Sequence, residues 1–303
     1  MAHNPETEQG LSTSTKLTSV AGTEIDTGAL LAPQADTAID SGAVITAQAE
    51  RYDAVLPIIG YQNILQSGAT FTGSGATEGV ENILSYDTSR RFTSAGSALS
   101  FYIRPASPGV CDYVALAGLN LDQTGGKIRV SISYAVGGPL TVIANDLPGD
   151  GRSTARLFTF PAQTVADIRI DIVGVGQHTI ANVSAGQALV MQRSQYSGVT
   201  PASLSSSTKR TTTISDSGQF LNCDIMRRGV EYKASFRHIT DEWYRASFEP
   251  FTRHAQTLPF YYAWNPIEDP SGVIYGVAKS DIIPSKMGVL DWLTVDFDIM
   301  GHR

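Results

Sequence analysis

Beyond Tyr52 the chain alternates apolar and polar residues with a period of two. In KIRVSISY, Ile128, Val130, Ile132 and Tyr134 fall on one face and Arg129, Ser131 and Ser133 on the other, and DIRIDIV repeats the pattern with Ile168, Ile170 and Ile172. Such segments are half-buried strands. Gly-Gly pairs at 125–126 and 137–138, and LPGDG at 147–151, supply the turn chemistry that antiparallel strands need. Further strands are predicted over 99–103, 113–119, 140–144 and 187–192. Many short strands without intervening helical patterns predict a β-sandwich over residues 52–193.

The pattern then changes. SQYSGVTPASLSSSTKR, residues 194–210, is Ser-rich and aperiodic, the composition of a linker. CDIMRRGVEYKASFRHIT predicts two strands around Arg228-Gly229. TDEWYRASFEPFTRHAQ reads as a helix capped by Thr240 or Asp241, with Arg253 and His254 in its last turn. Trp243, Ser247, Phe251 and Ala255 share one face at i+4 steps, and Pro250 predicts a kink or a break into two short helices. PFYYAW, VIYGVAK and LDWLTVDFDIM follow as strands, the last with Leu293, Val295, Phe297 and Ile299 on one side. One helix on a small antiparallel sheet makes residues 211–303 an α+β domain.

Residues 1–51 fit neither unit. They carry seven acidic side chains against Lys16 and Arg51, and contain no Phe, Trp or Tyr. A segment without large apolar groups does not offset its own chain entropy. It reads as an extended acidic arm, held by its own domains or by neighbouring subunits. The 303-residue chain has a net charge of -7, which disfavours sequence-independent binding to nucleic acid. No run of 18 apolar residues predicts a membrane span, and the first ten residues lack the pattern of a secretory signal. Cys111 and Cys223 are expected as buried small hydrophobes rather than a disulfide.

Catalytic chemistry finds no support in the motifs. The five histidines are dispersed, with His238 expected at a strand end and His254 at a helix C-terminus, and none lies in an HExxH or a Cys-His cluster. Asp296 and Asp298 lie two apart on a strand opposite its apolar face, so they share the solvated side rather than facing each other across a cleft. No catalytic residue and no cofactor are assigned, and the chain is expected not to be an enzyme.

Two resemblances sharpen this picture. Asn82, Ile83 and Leu84, followed by Asp87, Ser89, Arg90, Arg91 and Phe92 ahead of a strand, resemble the entry loop of the discoidin-like, galactose-binding-like jelly roll over residues 62–193. Phe92 stands where that family usually has Trp, and Tyr86 where a glycine commonly precedes the aspartate. The likeness implies a jelly roll and makes Asp87 a candidate ligand of a structural calcium, although one carboxylate gives no coordination shell and capping of the loop is the competing role. It also raises recognition of a host-surface glycan. This segment has no Trp, so Tyr102, Tyr113 and Tyr134 are the available flat faces.

The longer string from GVTPASLSSSTKR through SGQFL, ASFRHIT, FEPF, PFYYAWNP and DIIPSKMG to LTVDFDIMG, taken with the preceding sandwich, resembles tail proteins of long-tailed bacteriophages. In these a galactose-binding-like domain precedes a tail-tube-like domain, here residues 62–303. The likeness implies a virion structural subunit assembled in the host cytoplasm near the distal tail or its tip. It also implies a homo-oligomeric ring, other tail proteins as partners, and an outward jelly roll.

Overall fold

The computed structural model describes residues 16–18, 24–26, 56–66, 68–74, 79–149, 155–195, 200–201, 204–267, 269, 272–288 and 291–301. The chain divides into two compact units, 1–51 and 52–303. In the first, the strands Lys16–Thr18 and Glu24–Asp26 pair antiparallel. The rest of the expected arm lies outside the described residues.

The second unit is mainly β. A five-stranded antiparallel sheet runs in the order Thr70–Ser74, Ala98–Arg104, Asp167–Val173, Lys127–Ser133, Thr141–Pro148. It faces a three-stranded sheet of Arg156–Val165, Gly109–Ala117 and Asn182–Gly186. The period-two residues Leu99, Phe101, Ile103, Ile128, Val130, Ile132, Ile168, Ile170 and Ile172 fill the space between them with Val114, Leu116 and Val183. This is the sandwich the alternation predicts, although the polar positions Ser131 and Ser133 are buried as well.

The central strand of the three-stranded sheet is buried on both faces from Tyr113 to Ala117. The outer side of this sheet, built from Tyr113, Ala115, Ala117 and Leu157, packs on Tyr261, Ala263, Val273 and Tyr275 of a second, larger sheet. That explains why YVALA, residues 113–117, is continuously apolar rather than alternating, since a strand covered on two sides has no polar face.

The larger sheet runs Leu189–Val190, Ile58–Gly60, Phe260–Ala263, Val273–Ala278, Trp292–Gly301, Phe220–Thr240, Ser206–Ile214, with Ser285–Lys286 added beside Trp292–Gly301. Its two first strands come from the segment expected to be sandwich alone. Ile59 pairs with Leu189 on one side and Tyr262 on the other. The sandwich is therefore inserted into the larger sheet, leaving and re-entering it through adjacent strands, rather than following the arm as a bead on a string. At this junction Gly60 is required by packing, because a Cβ there would lie 2.8 Å from the Tyr113 ring.

Two further expectations change. Arg228-Gly229 does not turn the chain, and Phe220–Thr240 is one 21-residue strand. It pairs with Ser206–Ile214 along its first half and with Trp292–Gly301 along its second, Val230 being shared by both. The expected linker ends early, since residues 206–210 already belong to a strand. Serine and threonine there leave no apolar alternation to betray it.

The helix is capped by Thr240, whose Oγ1 accepts a hydrogen bond from Trp243 N at 3.3 Å. The expected break takes the form of two short α-helical segments, with Pro250 in the first turn of the second. A π-helical turn over Tyr244–Phe248 joins Asp241–Trp243 to Glu249–Ala255 and absorbs the missing N–H of the proline. The inserted width rotates the buried stripe onto Tyr244, Phe248, Phe251 and Ala255, leaving Trp243 and Ser247 half-buried. Phe251 meets Phe260 at 4.9 Å and Phe297 at 6.2 Å between ring centroids. Leu293, Val295, Phe297 and Ile299 line this core as their spacing requires, and Asp296 and Asp298 are exposed.

Candidate functional site

The first halves of the paired strands Ser206–Ile214 and Phe220–Thr240 form a hairpin whose positions beyond Thr208 and before Gly229 are all exposed except the half-buried Ser215. Ser215 closes it: Ser215 N donates to Gln219 O, Gly218 N donates to Ser215 O, and the Ser215 hydroxyl accepts from Gln219 N at 3.0 Å. Gly218 holds φ at 81°, the left-handed region glycine adopts without strain.

The register sorts the side chains. Arg210 and Thr212 lie opposite Ile225 and Cys223 on one face, and Thr211 and Thr213 lie opposite Asp224 and Asn222 on the other. The register shifts between Thr213 and Ile214, so Ile214 lies opposite Phe220 and Leu221 falls at the irregularity. Leu221 is 61% exposed, Ile225 48% and Met226 64%. Cys223, expected to be buried, is exposed here, whereas Cys111 is buried and its thiol is pushed up to about 12, chiefly by that burial. A two-stranded ribbon is marginal in water on its own, and among the described residues no strand pairs with the outer edge of Ser206–Ile214. Chemically this surface offers backbone pairing and apolar contact. The sequence signal was present in TKRTTTI and NCDIM, but the first half is polar enough to read as linker.

Asp87 sits in the loop after one 3₁₀ turn, Val80–Leu84, whose Ile83 is buried. Its Oδ1 accepts from Ser89 N at 2.8 Å, while its own N–H donates to Ser85 Oγ at 3.1 Å. The Ser89 backbone and hydroxyl hold its carboxyl below the usual range. Arg90 Nε lies 3.8 Å from the carboxylate, and Arg91 donates to Thr88 O. These contacts are those of a loop cap. Among the described residues no group of three or more His, Cys, Asp or Glu side chains is placed to hold a metal ion. Phe92 anchors the loop in the sandwich core, 6.1 Å from Phe101.

The three tyrosines separate. Tyr113 is fully buried and donates to Gln62 O. Tyr134 is 47% exposed. Tyr102 lies on the outer face of the five-stranded sheet, where the Arg169 guanidinium stands 5.4 Å from its ring centroid and donates to its hydroxyl at 3.2 Å. Arg169 also pairs with Asp171 at 3.0 Å, and Thr72 is the cross-strand neighbour of Tyr102. His254 is in the last turn of its helix, and its Nε2 lies 3.1 Å from Pro259 O; burial lowers its pKa. No described helix is long and apolar enough to cross a membrane.

No family model and no curated protein matches the chain. Among solved structures, it is similar to CpGH89CBM32-5 from Clostridium perfringens, in complex with GalNAc-β-1,3-galactose. The identity is 11%, with 41% of this chain and 99% of that chain covered and a TM-score of 0.35. It is similar also to chitosan-binding module 1 of a chitosanase/glucanase from Paenibacillus sp. IK-5, at 18% identity over 41% and 98% of the two chains with a TM-score of 0.33. A pectin-binding carbohydrate-binding module matches at 16% identity over 41% and 91%, with a TM-score of 0.34.

Proposed function

We propose that this chain is a non-enzymatic structural subunit that assembles with copies of itself through the larger sheet and carries the inserted sandwich outward. The observation that carries the reading is the hairpin Ser206–Arg228, which exposes Ile214, Leu221, Ile225 and Met226 together with a strand edge that is unpaired among the described residues. Exposed apolar strands of this kind are sites of pairing with another chain. The most specific form of the proposal is a virion subunit of a long-tailed bacteriophage, at the distal tail or tip, with other tail proteins as partners.

A second reading takes the sandwich as a carbohydrate-binding module for a host-surface glycan. It is favoured by the solvent-facing row of Thr72, Tyr102, Arg169 and Asp171, which sets an aromatic ring beside hydrogen-bonding groups on one sheet face. The two readings are compatible within one virion. Electron micrographs of the purified full chain distinguish them: the assembly reading predicts closed rings with peripheral knobs. Dispersed single particles that bind a glycan array through Tyr102 leave only the second.

A further inference from the structure

A cleft of 370 Å³ opens at the end of the larger sheet, lined by Arg193, Ser194, Gln195, Arg237, His238 and Trp292. Trp292 is half-buried, while Arg193, Arg237 and His238 are exposed. The Arg193 guanidinium stands 5.9 Å from the indole centroid, and the His238 ring meets the indole edge-on at 6.0 Å.

The segment bearing Arg193 is fixed at both ends by glutamines. Gln192 Oε1 accepts from Thr240 N at 2.9 Å and its amide donates to Thr240 Oγ1 at 3.0 Å. Gln195 Oε1 accepts from Tyr232 Oη at 2.8 Å, and its amide donates to Tyr262 Oη. His238 lies in a bulge between Phe236 and Ile239, at φ 60°, the only non-glycine residue with positive φ among those described. A histidine in the left-handed region is strained, and bulges re-aim side chains. The fold thus spends backbone strain to turn an imidazole toward an indole already faced by a guanidinium. The nearest carboxylate in sequence, Asp291, pairs with Lys286 at 3.8 Å.

We infer that this cleft binds a carboxylated sugar residue of an acidic glycan. The indole offers a flat apolar face to a pyranose ring, and the guanidinium of Arg193 with the imidazole of His238 offers planar donors to a carboxylate on that ring. The volume is at the small end of ligand sites, enough for one or two sugar units. A bare phosphate would use the cations and leave the indole idle. This inference is independent of the assembly reading.

The test titrates the full chain, by calorimetry and tryptophan fluorescence, with a tetrasaccharide alternating glucuronate and N-acetylglucosamine, and with the same tetrasaccharide after reduction of its carboxyl groups. Saturable binding of the acid is expected, weakened at least about tenfold by the reduction, as loss of charged hydrogen bonds demands. Arg193→Gln and His238→Gly should each weaken it by a similar factor. Glycine at 238 also relieves the strained φ, so His238→Gly should keep or raise the melting temperature, separating lost binding from lost folding. Absence of binding overturns the inference. So does equal binding of the reduced sugar, of inorganic phosphate, or by both variants.

Discussion

Tyr261 donates its hydroxyl to Asn182 Oδ1 at 2.7 Å, and both side chains are fully buried. Asn182 belongs to the three-stranded sheet of the sandwich and Tyr261 to the larger sheet, so the bond crosses the seam between them. The same asparagine accepts from Ser184 Oγ at 2.9 Å and donates to Ser85 O at 2.8 Å, reaching the loop that carries Asp87. Beside it, the Tyr275 ring lies tilted 4.6 Å from that of Tyr261 and its hydroxyl donates to Tyr86 O at 3.1 Å. The insertion is thereby fused to its host sheet by a core with polar pins rather than tethered by a linker.

Tyr261→Phe keeps the ring and removes the bond. With Asn182 Oδ1 still satisfied by Ser184, the expected loss is about 1–2 kcal/mol. Urea unfolding of the second unit should remain a single transition, because sandwich and sheet share the seam. Two separated transitions would show that the halves fold independently.

Asp167 tests the sandwich separately. It is buried, and although burial alone would raise its pKa, the hydrogen bonds from Arg104, Nε at 2.7 Å and Nη2 at 3.2 Å, and from Gly137 N at 2.8 Å lower it. A carboxyl lowered on folding adds stability that is complete above its unfolded pKa and disappears as pH falls through the folded one. Asp167→Asn should therefore cost about 1–3 kcal/mol at neutral pH. The gap between parent and variant should shrink as pH falls below the ordinary aspartate value of 3.8. A gap unchanged between neutral and acid pH would refute this role.

Phe251 and Trp243 compare a full with a partial anchor. Phe251 is fully buried under the helix, so Phe251→Ala should cost about 3–5 kcal/mol. Trp243→Ala should cost clearly less, because the π turn leaves that ring half-buried. Equal losses in chemical denaturation would mean that Trp243 is the true anchor.

At Asp87 the cap and calcium readings diverge. Asp87→Ala should lower the melting temperature of the full chain by removing the acceptor of Ser89 N, and a chelator should leave the parent unchanged. A chelator-induced fall that added calcium restores would establish the metal.

What the sequence made legible follows from periodicity. The strands with period two, the helix with its Thr240 cap, and the buried faces of Leu293 to Ile299 were readable because alternation of that length has one physical solution. The insertion was not, since Ile58–Gly60 and Leu189–Val190 have three and two residues and gain their strand character from pairing 130 positions apart. The hairpin escaped for the opposite reason: Ser206–Ile214 is long but mostly exposed, so its sequence is largely polar. His238 and Trp292 belong to no motif and meet only through a bulge.

The most direct test of assembly through the hairpin is the native mass of the full chain by light scattering, measured across concentration beside a variant with Ile214, Leu221 and Ile225 all replaced by Thr. Threonine keeps the strand preference and removes the apolar contact. The parent is predicted to run as a discrete oligomer of several chains, and the variant as a folded monomer with an unchanged circular dichroism spectrum. A parent that stays monomeric at every concentration, or a variant that assembles as the parent does, would contradict the account.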